Sequence, residues 1–200
     1  MKTVAVVPIK ALLQAKSRLS SKLTPAERAE LARDMLAHVL DAIERSGVIA
    51  GVAVITPRPQ EIHLPPGVTT LLQTENGLNS LLEQGRDWAT KQGAGALLLA
   101  FADLPLLLPA DIQGILRLGK PAHSVVLAPD RHDQGTNLML LHPPTLIPFS
   151  FGPNSYDAHR TAALKANAHL EVYRAPGTSL DIDTPDDLAR LEQARLAAAG

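Results

Sequence analysis

Apolar and polar positions change period several times along the chain, and the changes divide it into strands and helices. Residues 3–9, TVAVVPI, are a near-continuous β-branched and apolar run, which predicts a strand buried on both faces. Thr24-Pro25-Ala26-Glu27 has capping-box spacing with proline at the first helical position. Leu31, Met35, Val39 and Ile43 follow at helical spacing, up to a stop near Gly47. GVAVIT at 51–56 predicts a second strand, and a proline-rich connection, Pro57 to Pro66, leads to a third at 68–73. Gly77 to Gln92 predicts a helix with Leu78, Leu81, Leu82, Gly85 and Trp88 on its inner side. A strand at 96–101 and a helix over Pro109–Leu118 come next. SVVLAP (124–129) and TNLMLL (136–141) flank the polar turn DRHDQG and predict a hairpin. A helix over Ser155–Asn167, a strand over 169–174 and a helix over Pro185–Ala197 follow, with the terminal RLAAAG expected to fray.

Strands alternating with helices predict an α/β fold: one sheet, mainly parallel, with antiparallel pairing near the hairpin. In such sheets ligands bind beyond the carboxyl ends of strands, so the loops after strands 3–9 and 96–101 are expected on one functional edge. The 200 residues suit a single domain, 1–200, with its own core. A hydrophobic fraction of 46% argues against disorder, and 3% aromatics means a core of Leu, Ala, Val and Ile. A net charge of −1 offers no bulk positive field for nucleic acid. The absence of cysteine removes disulfides, thiolate nucleophiles and cysteine metal sites. The opening MKTVAVVPIK is broken by proline too early for a signal peptide, and no apolar run reaches membrane-spanning length. The expectation is a cytoplasmic protein without a nucleic-acid or membrane partner; oligomeric state is not legible.

Candidate chemistry begins with aspartates placed where strands should end. Asp103 follows the run 97–101 in ADLPLL, and Asp181 and Asp183 sit in SLDIDTPDDL. If Asp-Ile-Asp is a strand, its two carboxylates share one face, which is costly unless a cation or water sits there. A third carboxylate from another strand end would complete an oxygen-only site for Mg²⁺, a metal that usually arrives with phosphates. The competing reading makes each a turn or cap residue. Thr184 and Pro185 already start the last helix, and Asp186 and Asp187 suit its positive end, which leaves Asp181 and Asp183 without a structural job. On that division Asp187→Ala costs about 1 kcal/mol or less and leaves the rate alone. Asp111 also looks structural, in the first turn after Pro109.

A basic loop with Lys10, Lys16, Arg18 and Lys22 joins the first strand to its helix. Neither GxxxxGK[ST] nor GxGxxG occurs, so these side chains would neutralise a triphosphate directly; the alternative is a solvated loop. Asn79 either contacts a nucleotide or caps its helix. Ser155 reads as the N-cap of its helix, whose N-terminus suits an anion, and Gly152 permits close backbone approach to a ligand; an ordinary turn and cap explains both equally. Gly135-Thr136-Asn137 is either a hairpin turn or a polar rim for an acceptor. No two of the seven histidines are spaced i,i+3 or i,i+4, so they carry no helical zinc motif.

In order along nearly the whole chain, PIKALLQAKSRLSSKLTPAERAELARDML, GLNSLL, ADLPLL, APDR with GTN, FGPNSYDAH and LDIDTPDDL resemble the guanylyltransferases of deazaflavin coenzyme F(420) biosynthesis. The resemblance implies a single-domain, Rossmann-like nucleotidyltransferase that joins GMP from GTP to a phosphorylated three-carbon acid and releases pyrophosphate. The acceptor is 2-phospho-L-lactate, phosphoenolpyruvate or 3-phospho-D-glycerate, depending on the member. It implies Asp103, Asp181 and Asp183 near Mg²⁺ and phosphates, with Asp103, Lys16 and Arg18 in the chemistry. Lys10, Lys16, Arg18 and Asn79 fall to GTP, and Thr136, Asn137, Gly152 and Ser155 to the acceptor. One departure is Gln134, where the family often carries a second glycine before Gly-Thr; it would narrow or redirect the acceptor pocket. Rival readings are a sugar or molybdenum-cofactor nucleotidyltransferase, a glycosyltransferase using Asp-Ile-Asp, and a GTP-binding domain without catalysis.

Overall fold

Seven strands form one sheet in the order β3-β2-β1-β4-β6-β5-β7. They are β1 (Thr3–Pro8), β2 (Gly51–Thr56), β3 (Val68–Leu72), β4 (Ala96–Ala100), β5 (Ser124–Pro129), β6 (Thr136–His142) and β7 (His169–Val172). The computed structural model describes residues 1–12 and 15–199. Every neighbouring pair is parallel except those made by β6, which runs antiparallel to β4 and to its hairpin partner β5. The mixed, mainly parallel α/β sheet expected from the pattern is therefore present.

The helices are α1 (Pro25–Arg45), α2 (Leu78–Lys91), α3 (Pro109–Leu118), α4 (Ser155–Lys165), α5 (Pro176–Ser179) and α6 (Pro185–Ala199). The central strands are buried on both faces, and strand alternation splits their side chains between two layers. Ala5, Val7, Leu98, Val126 and Leu140 pack with Val39 and Ile43 of α1 and Ile112 and Ile115 of α3. Val4, Val6, Leu97, Leu99 and Met139 pack with Leu81 and Leu82 of α2 and Ala163 of α4. α1 starts with the expected capping box: Thr24 N donates to Glu27 Oε2 at 2.8 Å, and Glu27 N donates to Thr24 Oγ1 at 3.3 Å. Gly85 explains itself by contact, since a Cβ there would stand 2.7 Å from Val6 Cγ1; glycine lets α2 lie directly on β1.

Some expectations are corrected. Asp181-Ile182-Asp183 is not a strand but an extended connection between α5 and α6. It runs past the edge where β4 has ended, and Ile182 N donates to Asp103 O at 3.3 Å instead of joining a ladder. The alternation survives: Ile182 is fully buried with Leu180 and Leu191, while both aspartates turn to a cleft. β7 stops at Val172, two residues early, and α5 is a four-residue turn of helix without a sequence signal. α6 runs on through Ala199, within the stretch expected to fray; Gly200 lies outside the described residues.

This topology places the site. Sheet order reverses between β1 and β4, so their following loops diverge from a crevice at the carboxyl edge. Because β6 is antiparallel, its first residues, Thr136 and Asn137, arrive at that same edge, where Phe101 N donates to Asn137 O at 3.1 Å.

Candidate active site

The crevice is a cleft of about 630 Å³, lined by the loop after β1, the residues after β4, the start of β6, the loop before α4 and the connection from α5 to α6. That volume suits a small-molecule ligand. Lys16 is its electrostatic centre. Its Nζ lies 2.6 Å from Asp103 Oδ2 and 3.0 Å from Asp183 Oδ1, and its side chain is 9% exposed. Burial works against the ammonium charge, but Asp103 and Asp183 outweigh it and hold the pKa above the ordinary lysine value. Lys16 takes φ 53°, the left-handed region, which non-glycine residues enter at a cost of order 1 kcal/mol. Arg18 is exposed, with Nη1 3.6 Å from Asp183 Oδ2. Lys10 is exposed on the cleft rim.

Asp181 has no cationic side chain in contact among the described residues. Its carboxylate meets Asn137 Nδ2 at 3.4 Å, while that amide also donates to Thr178 O at 3.1 Å. Burial, and then the negative charge of Asp103, push the Asp181 pKa up to about 6. Among the described residues no three acidic or histidine side chains form a ready metal cluster; Asp103 and Asp183 converge on Lys16 instead. The donor set still fits a hard divalent ion. It is oxygen-only, opens to one cleft, and includes a buried carboxylate that lacks a countercharge.

The acceptor candidates share the cleft. Thr136 and Ser155 are buried side by side, Oγ to Oγ at 3.5 Å, with Gly152 at the same wall. Ser155 is not the cap expected of it. Asn154, at φ 56°, holds that position, and Ser155 is the first helical residue, which turns its hydroxyl inward. The N–H groups of Ser155 and Tyr156 are already bonded to Gly152 O and Gln134 O, so the helix end offers fewer free donors than its position suggests. Gln134 is exposed and Gly135 lines the cleft, so the departure from the family pattern does not fill the pocket. Asn79 braces the loop beside the cleft. Its Nδ2 donates to Phe151 O at 3.0 Å and its Oδ1 accepts from Phe151 N at 2.8 Å, which uses the amide to hold the 149–154 loop on α2.

Other site residues escaped sequence reasoning. Asp130 accepts from His132 N and Gln134 N at 2.9 Å and from Gly135 N at 2.7 Å, which builds the β5–β6 turn beside the cleft. An aspartate opening a hairpin turn is a readable signal for this. Arg86 is buried, donates from Nη2 to Ile147 O at 2.9 Å, and stands 3.7 Å from the Phe149 ring centroid. With Asn79 it ties α2 to the loop at the cleft wall.

Asp187 has the structural job expected of it, but with more partners than its first-turn place implies. Its Oδ2 accepts from Thr184 N and Thr184 Oγ1 at 2.7 Å and from Asp183 N at 3.1 Å, and its Oδ1 pairs with Arg131. Burial opposes its charge, but these bonds prevail and hold its pKa below the usual carboxylate range. A capped carboxylate this buried outweighs an exposed first-turn charge. We expect Asp187→Ala to cost about 2–3 kcal/mol in chemical denaturation, above the sequence expectation. It should also lower the rate, because Asp183 loses its backbone anchor; unchanged stability would refute the capping role.

His159, passed over in the sequence, is fully buried on α4. Its Nε2 accepts from Ser150 N at 3.0 Å and its Nδ1 lies 3.1 Å from Thr136 Oγ1. Burial pushes its pKa down from 6.5 to about 4. An unfolded chain therefore binds this proton at pH values where the folded chain does not. Stability is complete above about pH 6.5 and is lost as pH falls towards 4, by about 3 kcal/mol from this group. Denaturation curves between these limits check this: His159→Asn should show a shallower pH dependence than the wild-type chain.

Residues 3–192 match the family described as Guanylyl transferase CofC like. A phosphoenolpyruvate guanylyltransferase from Rubrobacter xylanophilus is 44% identical, covering 96% of this chain and 94% of the relative. A 3-phospho-D-glycerate guanylyltransferase from Colwellia psychrerythraea is 32% identical, covering 96% and 91%. Among solved structures, one from Desulfovibrio desulfuricans G20 assigned to the nucleotide-diphospho-sugar transferases superimposes with TM-score 0.81 at 18% identity, over 97% of this chain and 88% of that one. 4-Diphosphocytidyl-2C-methyl-D-erythritol synthase gives 0.65 at 14% identity, over 96% and 97%. These distant likenesses concern the fold, whereas the family match spans the strands, the cleft and every residue described at its walls. The chain belongs to the CofC-like guanylyltransferase family.

Proposed function

We propose that this chain, as a single nucleotidyltransferase domain, transfers GMP from GTP to phosphoenolpyruvate with release of pyrophosphate, in coenzyme F(420) biosynthesis. One observation carries the reading. A single cleft joins a cationic and acidic cluster, suited to a triphosphate, to a buried hydroxyl pair, suited to a second anion. The names of relatives support phosphoenolpyruvate, with 3-phospho-D-glycerate as the other named acceptor. The wall also favours it. Phe101 and Phe151, with ring centroids 5.3 Å apart, line the cleft beside the hydroxyl pair. A planar vinyl group sits well on that surface, whereas a glycerate hydroxyl placed there goes unpaired.

The residues suit the chemistry. A phosphate monoester has a second pKa near ~6 and arrives largely dianionic, so its oxygen needs no general base. The remaining task is to hold two anions together in line. Lys16 is pre-charged and pre-placed, and with Arg18 and Lys10 it stabilises the departing pyrophosphate. Thr136, Ser155 and the backbone at Gly152 orient the acceptor, and Asn137 holds Asp181 towards it. Asp103, Asp181 and Asp183 are the groups that would hold Mg²⁺, which when bound neutralises phosphate oxygens as a Lewis acid. Among the described residues no helix is long and apolar enough to cross a membrane.

Pyrophosphate release from GTP and Mg²⁺ with each of the three acceptors separately, against ATP and no-acceptor controls, tests this. Release with GTP and phosphoenolpyruvate is the expected result. Release with another acceptor alone corrects the substrate. GTP binding with no release under any condition overturns the catalytic reading in favour of a binding domain.

A further inference from the structure

The direction of one buried hydrogen-bond chain can be worked out from its first member. The N–H of Ser150 lies 3.0 Å from His159 Nε2, and a backbone N–H only donates. Nε2 is therefore the lone-pair nitrogen, and the neutral ring carries its proton on Nδ1. Nδ1 then donates to Thr136 Oγ1, 3.1 Å away. This occupies an acceptor lone pair on the threonine and leaves its own O–H unspent. The other hydroxyl within reach is Ser155 Oγ at 3.5 Å. The two hydroxyls have two protons, and a bond between them uses one. At least one O–H is left to point into the cleft that both residues line.

A main-chain donor thus sets the polarity of the whole chain, and the hydroxyl pair is delivered as a donor, which an anion requires and a cation rejects. The ring cannot easily change its state. It is fully buried, and the Phe151 ring meets it edge-on with centroids 4.5 Å apart. Protonating Nε2 would set two donors, the ring and Ser150 N, against each other.

We propose that His159 is a positioning residue of the acceptor site, fixing the Thr136–Ser155 pair as a hydrogen-bond donor to the anionic acceptor. This rests on the assignment of that wall to the phosphorylated acid.

The test compares His159→Asn with His159→Leu in the full chain, by steady-state pyrophosphate release with Mg²⁺-GTP and phosphoenolpyruvate. The two side chains are close in size, and both lose the ring, but only Asn retains an N–H that can serve Thr136. His159→Leu should raise the KM for the acceptor by roughly tenfold, with the KM for GTP unchanged and kcat within about twofold. His159→Asn should recover much of that loss. Equal acceptor KM values in the two variants, or a parallel rise in the KM for GTP, overturn the proposal. Should either variant fail to fold, nitrogen chemical shifts of the wild-type imidazole decide it, since a proton on Nε2 contradicts the chain. Turnover by the wild-type enzyme separates the two claims: an inactive wild-type chain with every acceptor fails the functional reading, whereas an active one with indifferent variants fails this inference alone.

Discussion

Replacing Asp103 or Asp183 by Asn is expected to leave the fold standing and to lower guanylyl transfer by at least about 10²–10³-fold. Both residues touch the Lys16 ammonium, and both face the cleft instead of the core. Asn preserves side-chain volume, so packing around Leu104 and Ile182 is undisturbed. What changes is charge, together with one oxygen that becomes a donor and is useless to an ammonium or a metal ion. The backbone contribution of the region is untouched, because Ile182 N still reaches Asp103 O and Asp183 N still reaches Asp187. There is a measurable side effect. The raised pKa of Lys16 contributes stability that is present below the unfolded lysine value and disappears as pH rises through the folded one. Removing either carboxylate weakens that contribution, so the alkaline limb of the stability profile should move to lower pH in both variants. Circular dichroism and denaturation establish the fold, and pyrophosphate release establishes the rate. Near-normal turnover in both variants would remove the two aspartates from the chemistry.

The fold was legible because its signals are local. β2 and α3 have the bounds their patterns predict, and the α1 capping box lies within four consecutive residues. A strand buried on both faces announces itself by β-branched runs, and an amphipathic helix by its stripe. α5 had neither, because four residues are too few for a period. Asp-Ile-Asp failed as a strand but succeeded as a pattern, since alternation requires only an extended backbone, with or without a ladder.

The candidate site was legible where residue type and loop position suffice to bring side chains to one cleft, and illegible where a distant partner decides a side chain's role. A lysine and three aspartates at loop positions suggest phosphate chemistry in any order. Asn79 could be placed at a helix start, yet its partner, Phe151, lies 72 residues on, and its role as a brace for that loop is invisible in the sequence. His159 bonds Thr136 and Ser150, respectively 23 and 9 residues away, and nothing in AHR hints at either. Ser155 looked like a cap because serine usually is one, until the left-handed Asn154 took the position. Asp187 was undervalued for a related reason: its first-turn place is visible in sequence, but its bond to Arg131 is not.

Lys16→Met is expected to lower turnover by about 10²–10³-fold or more, and to change how the protein responds to a divalent cation. Methionine keeps much of the stem and removes the ammonium. Asp103 and Asp183 then lose their shared buried partner, with the buried Asp181 beside them, and only the exposed Arg18, 3.6 Å from Asp183, and Lys10 on the rim are left to offset three carboxylates in one cleft. Breaking a fully buried pair costs about 3–5 kcal/mol. Here Asp103 and Asp183 are 25% and 44% exposed, so water screens part of the repulsion and about 1–3 kcal/mol is the better expectation. Some of that loss is returned by relief of the left-handed backbone at Lys16, if the loop relaxes. Added Mg²⁺ should then stabilise the variant more than the wild-type chain, because the ion supplies the positive charge the ammonium no longer does. Thermal denaturation with and without Mg²⁺ measures this without any turnover. Equal Mg²⁺ shifts in the two proteins would mean that the carboxylates and the ammonium do not serve a common cation site. A variant as active as the wild-type chain would move the leaving-group role from Lys16 to Arg18 and Lys10.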